Sequence, residues 1–155
     1  MKILYIFVMI IIAIFGGNKV EIQNDLVKCM STPNQYIIYN ENNKTTYKTN
    51  NNEYNKISNL LIEMCADSRE MPAFGVSLDP DTRAAMESGL WIELIYTTTQ
   101  EYNEMPFDKL LIQVVADYSG FNIFRELDGK YEGRCFYLSL EGDMSSLYNY
   151  IIKLA

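Results

Sequence analysis

Residues 90–140 carry four strand-like stretches in close succession, and these restrict the fold more than any other feature of the chain. The first, LWIELIYTT (90–98), alternates: Leu90, Ile92, Leu94 and Tyr96 fall on one side, Trp91, Glu93, Ile95 and Thr97 on the other. Side chains of a strand point to opposite faces in turn, so one set is expected in a core. KLLIQVVAD (109–117) is a second strand, too apolar for a clean solvent face. FNIFREL (121–127) and KYEGRCFYLSL (130–140) meet across Asp128-Gly129, a dipeptide that supports a tight hairpin turn.

Helical signals surround this block. Ile57, Leu60, Leu61 and Met64 recur at i, i+3, i+4 and i+7, predicting a helix over about Glu53–Ala66 with Asn51 or Asn52 as cap. In LDPDTRAAMESG, Asp79 reads as N-cap, Pro80 as the first helical residue and Gly89 as the stop. A final stripe of Leu147, Tyr150, Ile151 and Leu154 predicts a helix over about Met144–Leu154 capped by Asp143, and Val20–Met30 suits a short one. QYIIY (35–39) and TTYK (45–48) read as a hairpin within a stretch holding nine asparagines between Asn34 and Asn59. The expected fold is α+β: a mostly antiparallel sheet of four to six strands, with three or four helices packed against one face. With 155 residues, a single domain over 18–155 is expected.

Residues 1–17 stand apart. Lys2 precedes thirteen apolar residues, Ile3–Phe15, and then Gly16-Gly17. A basic start and a run of that length mark a secretory signal peptide. The sixteen residues between Lys2 and Lys19 reach only about 24 Å as a helix, short of the roughly 30 Å hydrocarbon core. A retained membrane anchor is the second reading, and a core element of a cytoplasmic protein is the third. The expectation is therefore export, to the cell envelope or beyond.

Charge narrows the partners. The net charge is −7, with five lysines and five acids between Asn18 and Ala66, but seven basic and fifteen acidic residues from Asp67 onward. Nucleic-acid binding needs concentrated Lys and Arg, so that class is not expected. An acidic second half instead suits a basic protein partner. Twelve tyrosines point the same way, because a tyrosine ring buries area while its hydroxyl finds a partner. Within TTTQEYNEMPF (97–107), Tyr102 and Met105 are candidate anchors of an exposed contact segment, and Trp91 is a candidate binding residue.

Catalytic signals are sparse. Without histidine, Ser-His and Cys-His nucleophile pairs do not exist, and the commonest metal ligand is missing. No calcium loop, phosphate-cradling glycine motif or C-x-x-C occurs, so neither metal nor cofactor is expected. Cys29, Cys65 and Cys135 read as free thiols. Paired carboxylates remain for glycan hydrolysis, with Glu93, Glu126 and Glu132 as candidates, Glu87 on a helix, and Trp91 beside Glu93 as a sugar platform. Arg125 and Arg134 are expected near one another across the Asp128 turn, in cross-strand salt bridges with Glu126 and Glu132. The leading reading is a small exported binding protein without catalytic activity, an inhibitor or a cell-envelope interaction module. The alternative is a small secreted carboxylate-dependent hydrolase acting on a glycan.

Overall fold

A computed structural model describes residues 25–41, 43–73 and 75–155. The apolar run Ile3–Phe15, and with it the signal or anchor reading, lies outside the described residues. The elements run α1 (Asp25–Met30), β1 (Gln35–Asn40), β2 (Asn43–Lys48), α2 (Asn52–Cys65), β3 (Arg69–Met71), β4 (Val76–Ser77) and α3 (Asp79–Ala85). There follow β5 (Leu90–Tyr102), β6 (Met105–Gln113), β7 (Gly120–Glu126), β8 (Gly133–Arg134), β9 (Phe136–Ser139) and α4 (Ser145–Ile151).

The α+β class holds, but the main sheet has seven strands rather than four to six, in the order β2-β1-β5-β6-β7-β9-β3. Every neighbouring pair is antiparallel. The additional edge is β3, three residues reading Arg-Glu-Met, which carry no apolar alternation to betray a strand. They pair with Tyr137–Ser139 of β9. The stretch 130–140 also divides: β8 leaves the main sheet to pair with β4, and only Phe136–Ser139 continues beside β7.

The helices do not share one face. Leu26 and Met30 of α1, Ile57 and Leu61 of α2, and Leu147 and Ile151 of α4 pack on Ile38, Ile92, Leu94, Leu110, Ile112, Phe121 and Leu138 of the sheet. Most of these side chains are wholly buried, and each apolar side chain so buried contributes about 1.5–3 kcal/mol. The opposite face bears a second, smaller core of Trp91, Leu111 and Tyr131, against which Tyr39, Met86 and Phe124 pack. Met86 closes the C-terminal end of α3, which places that helix on this second face.

Local chemistry explains two departures at helix starts. Asp79 is the first helical residue and Leu78 the N-cap, so α3 begins one residue earlier than the Asp-Pro signal suggests. The Asp79 carboxylate serves tertiary contacts instead of a cap. Asn51 is the N-cap of α2, but its side chain accepts the Lys48 amide rather than one from the helix. At the last helix, Ser145–Ile151 rather than Met144–Leu154, the N-cap is Met144 and not Asp143, although Asp143 accepts the Ser145 amide at 2.9 Å and this bond holds its carboxyl below the ordinary range.

The largest correction concerns 97–107. Rather than a connecting loop, β5 runs through Tyr102 and β6 starts at Met105, which displaces the expected 109–117 strand to Met105–Gln113. Asn103 (φ 50°) and Glu104 (φ 60°) make the turn, both left-handed as a two-residue type I′ hairpin requires. Between Ile95 and Gln100 the pairing is irregular: five steps along β5 answer two steps from Lys109 to Phe107 on β6. This bulge decides what faces the site described next.

Candidate functional site

Trp91, Glu93 and Ile95 alternate onto the second sheet face, and Lys109 and Glu126 arrive there on neighbouring strands. Lys109 lies directly opposite both Ile95 and Glu126, which puts it diagonal to Glu93. Its ammonium stands 3.1 Å from Glu126 Oε2 and 3.6 Å from Glu93 Oε1. Both carboxylates are buried, at 4% exposure for Glu93 and 2% for Glu126, whereas the lysine side chain keeps 34% of its surface in solvent. A buried carboxylate without compensation is strongly unfavourable, so one lysine neutralises charge from two strands.

Two tyrosines complete the arrangement. Tyr39, on β1, donates its hydroxyl hydrogen to Glu93 Oε2 at 2.9 Å, and Tyr131 donates to Glu93 Oε1. Burial first, and then the Glu93 charge, push both phenols well above the usual tyrosine range. They therefore act as neutral donors to Glu93 near neutral pH. Glu126 Oε2, in contrast, has its ion-pair contact with Lys109 but no hydrogen bond.

Tyr131 is held by α3. Asp79 Oδ1 accepts the Tyr131 backbone N–H at 2.8 Å, and Arg83 Nε donates to both Asp79 oxygens at 3.0 Å. Arg83 Nη2 also donates to the Gly129 carbonyl at 2.8 Å, and its guanidinium lies 5.4 Å from the Tyr131 ring centroid. Hydrogen bonds from Arg83 and from the Tyr131 amide hold the Asp79 carboxyl below its ordinary value. Asp128 (φ 52°) and Gly129 (φ 81°) form the tight turn expected of that dipeptide, with Leu127 bridged to Lys130. The turn thus presents a carbonyl to Arg83 and an aromatic ring to the sheet.

Between the β1–β2 hairpin and α3 a cleft of about 480 Å³ opens over these groups. Glu93, Lys109 and Tyr131 lie at its base, with Tyr39 and Lys44 to one side and Arg83, Met86 and Glu87 to the other. Glu41 stands at the rim in a left-handed turn (φ 53°), its amide bonded to the Gly89 carbonyl at 3.3 Å. Lys44 places its ammonium 5.3 Å from the Tyr39 ring centroid. The volume falls within the range usual for small-ligand and side-chain pockets.

The structure joins some expected site residues and separates others. Glu93 and Glu126 meet through Lys109, while Glu132 is exposed beside Lys130, outside the cleft. Trp91 is 2% exposed, donates its indole N–H to the Ser88 carbonyl at 2.7 Å and tilts onto Phe124, so its rings are not open to a sugar. Tyr102 and Met105 flank the hairpin turn at the other side of the sheet. Tyr102 donates to Glu70 of β3 and meets the Phe136 ring edge-on at 5.3 Å, and Met105 packs on the main core. Arg125 forms no salt bridge with Glu126 or Glu132. It donates to the carbonyls of Arg134 at 2.8 Å and Pro106 at 2.7 Å, which explains why it approaches Arg134 without an acid between them.

Arg83 and Lys109 carry no functional reading in sequence, and Tyr39 and Tyr131 carry only the contact tendency of the tyrosine excess. A hairpin counted back from the Tyr102–Met105 turn without irregularity would set Ile95 opposite Ile112, and only the bulge brings Lys109 there. A charged residue opening the apolar run 109–117 was the one available signal.

Chemically, Glu93 and Glu126 form a charge-compensated cluster around Lys109. A glycosidase needs two carboxyl groups exposed to one bond, one proton-donating and one ionised. Here Glu93 has a tyrosine on each oxygen, and Glu126 lies beneath Lys109 rather than in the cleft wall. Among the described residues no group of three or more Cys, Asp or Glu side chains is placed to hold a metal ion, and no helix is long and apolar enough to cross a membrane. No family model, curated protein or solved structure matches this chain.

Proposed function

We propose that this chain is an exported, non-catalytic binding protein whose partner is another protein, presenting basic side chains to the cleft above Glu93. One observation carries the reading. The cleft's cations Arg83 and Lys109 are engaged by Asp79, Glu93 and Glu126 and Lys44 lies over the Tyr39 ring, whereas Glu41 and Glu87 at its edges have no side-chain partner among the described residues. With Asp79 and Glu126 counted beside the lining residues, five carboxylates stand against Lys44, Arg83 and Lys109, so the charge left over for a visitor is negative. The surplus of acids beyond Asp67 adds a longer-range attraction for a basic partner. An inhibitor and a cell-envelope interaction module both fit this chemistry. The hydrolase alternative is weaker, because its two best acids are already compensated and do not face a common opening.

The test has two parts. A C-terminally tagged copy in the native host is fractionated and weighed intact, and a soluble exported species lacking about seventeen residues is expected. Full-length protein in the cytosol overturns the export reading, and full-length protein in the membrane fraction replaces the signal with an anchor. The exported species is then crosslinked to its partner, with Glu41→Lys/Glu87→Lys as the charge-reversed bait and Glu63→Lys, an exposed position on α2, as control. Loss of the crosslink in the double variant alone supports the cleft. Equal loss in the control reduces the effect to net charge.

A further inference from the structure

Resting on that reading, we infer that Lys44 is an internal placeholder: its ammonium occupies the cationic subsite of the cleft, and the partner's arginine or lysine side chain displaces it from the Tyr39 ring. Two rings in the cleft already hold cations of the chain itself, Lys44 over Tyr39 at 5.3 Å and Arg83 over Tyr131 at 5.4 Å. They differ in how they are held. Arg83 is fixed by Asp79 and by the Gly129 carbonyl, and leaving would break three hydrogen bonds. Lys44 projects from the exposed edge strand β2, directly opposite Tyr39 in register, and has no salt bridge among the described residues. A lysine on four flexible carbons, attached by ring attraction alone, is readily exchanged.

The subsite also suits an incoming cation. The Tyr39 hydroxyl donates to a buried carboxylate, which fixes the ring and enriches its π-face in electron density. Glu41 and Glu87 stand beside the same opening without side-chain partners among the described residues, ready to receive a guanidinium or ammonium that carries its own backbone with it. A bare metal ion is a poorer occupant, since no ligand cluster of three such side chains exists among the described residues.

The probe is the capped peptide acetyl-Gly-Arg-Gly-amide, with its citrulline counterpart as the neutral isostere, titrated into the folded protein by NMR. Lys44→Met keeps the stem and removes the ammonium. The expected result is binding of the arginine peptide with shifts at Tyr39, Met86 and Tyr131, several-fold tighter in Lys44→Met, and no binding of the citrulline peptide. In the wild type the Lys44 side-chain methylenes lose their ring-current shift as the peptide binds. Binding that is unchanged or weaker in Lys44→Met, or a Lys44 signal that does not move, overturns the placeholder and leaves the basic-partner reading standing. Failure of the arginine peptide to bind either protein overturns both. The exposed position of Lys44 keeps loss of folding from imitating any of these outcomes.

Discussion

On β5, Ile92, Leu94 and Tyr96 enter a helix-covered core of apolar side chains, while their neighbours Glu93 and Ile95 face a cleft with a lysine and two tyrosine hydroxyls. The same strand thus serves two interiors of opposite character. Under the helices, stability comes from removing hydrocarbon from water and from close packing, so each residue contributes according to its size. On the other face, Glu93, Lys109 and Glu126 are tolerable only together, because each carboxylate would be costly without the ammonium. The first interior responds gradually to substitution and the second responds by compensation. The proposed binding site lies on the second, where charge is held at low exposure and preorganised.

The sharpest probe of the dry face is Phe121→Ala, which empties a wholly buried ring site and is expected to lower stability by about 3–5 kcal/mol in denaturant titration. A smaller loss would mean that the helices can collapse into the vacancy. On the charged face, Lys109→Met is expected to cost about 2–3 kcal/mol, less than for a fully buried pair because the lysine is partly solvated. Adding Glu126→Leu to that variant should recover part of the loss, since one of the two orphaned carboxylates goes with it and Glu93 keeps its two tyrosine donors. Recovery is the decisive sign: additive losses would show that the two faces obey the same rules after all.

Alkaline pH acts on both faces together, through Tyr36 and Tyr96 under the helices and Tyr39 and Tyr131 on the charged face. Burial raises the titration of Tyr36, Tyr39, Tyr96 and Tyr131 above the ordinary tyrosine value. The unfolded chain releases these protons near pH 10 and the folded one does not, so stability is complete below that point and falls as pH rises past it. Melting temperature followed from pH 9 to 12 should decline steadily beyond about 10, with the phenolate absorbance of these four buried tyrosines appearing only on unfolding. Phenolate absorbance from the folded protein equal to that of twelve free tyrosines would contradict it. The smallest effect is expected outside either face. Glu104→Gly relieves a left-handed residue in the β5–β6 turn and should add about 0.5–1 kcal/mol, leaving the cleft untouched.

How much of this could be read from the chain depended on the range of the interaction. The α2 stripe of Ile57, Leu60 and Leu61 and the Asp128-Gly129 turn are contacts between near neighbours, and both appear where the pattern places them. Strand β3 escaped because an edge pairing needs only backbone, and Arg-Glu-Met says nothing about its partner Tyr137–Ser139. Glu93 and Glu126 were legible as candidates, but their relation was not: the bulge after Ile95 sets the register, and register decides that a lysine stands between them. Trp91 illustrates the reverse, a residue with a conspicuous side chain whose indole satisfies itself locally at Ser88.

The order β2-β1-β5-β6-β7-β9-β3 has a consequence for how the chain is made. Its middle strands come from the last part of the polypeptide, and its two margins, β1–β2 and β3, from the first. During synthesis the early hairpin and the long helix emerge with no sheet to rest on, and β3 waits for a partner that follows more than sixty residues later. Such a molecule closes late and all at once, with its long-range pairings formed together. A nascent chain stopped near residue 85 should be open to protease throughout, whereas the finished one should resist it.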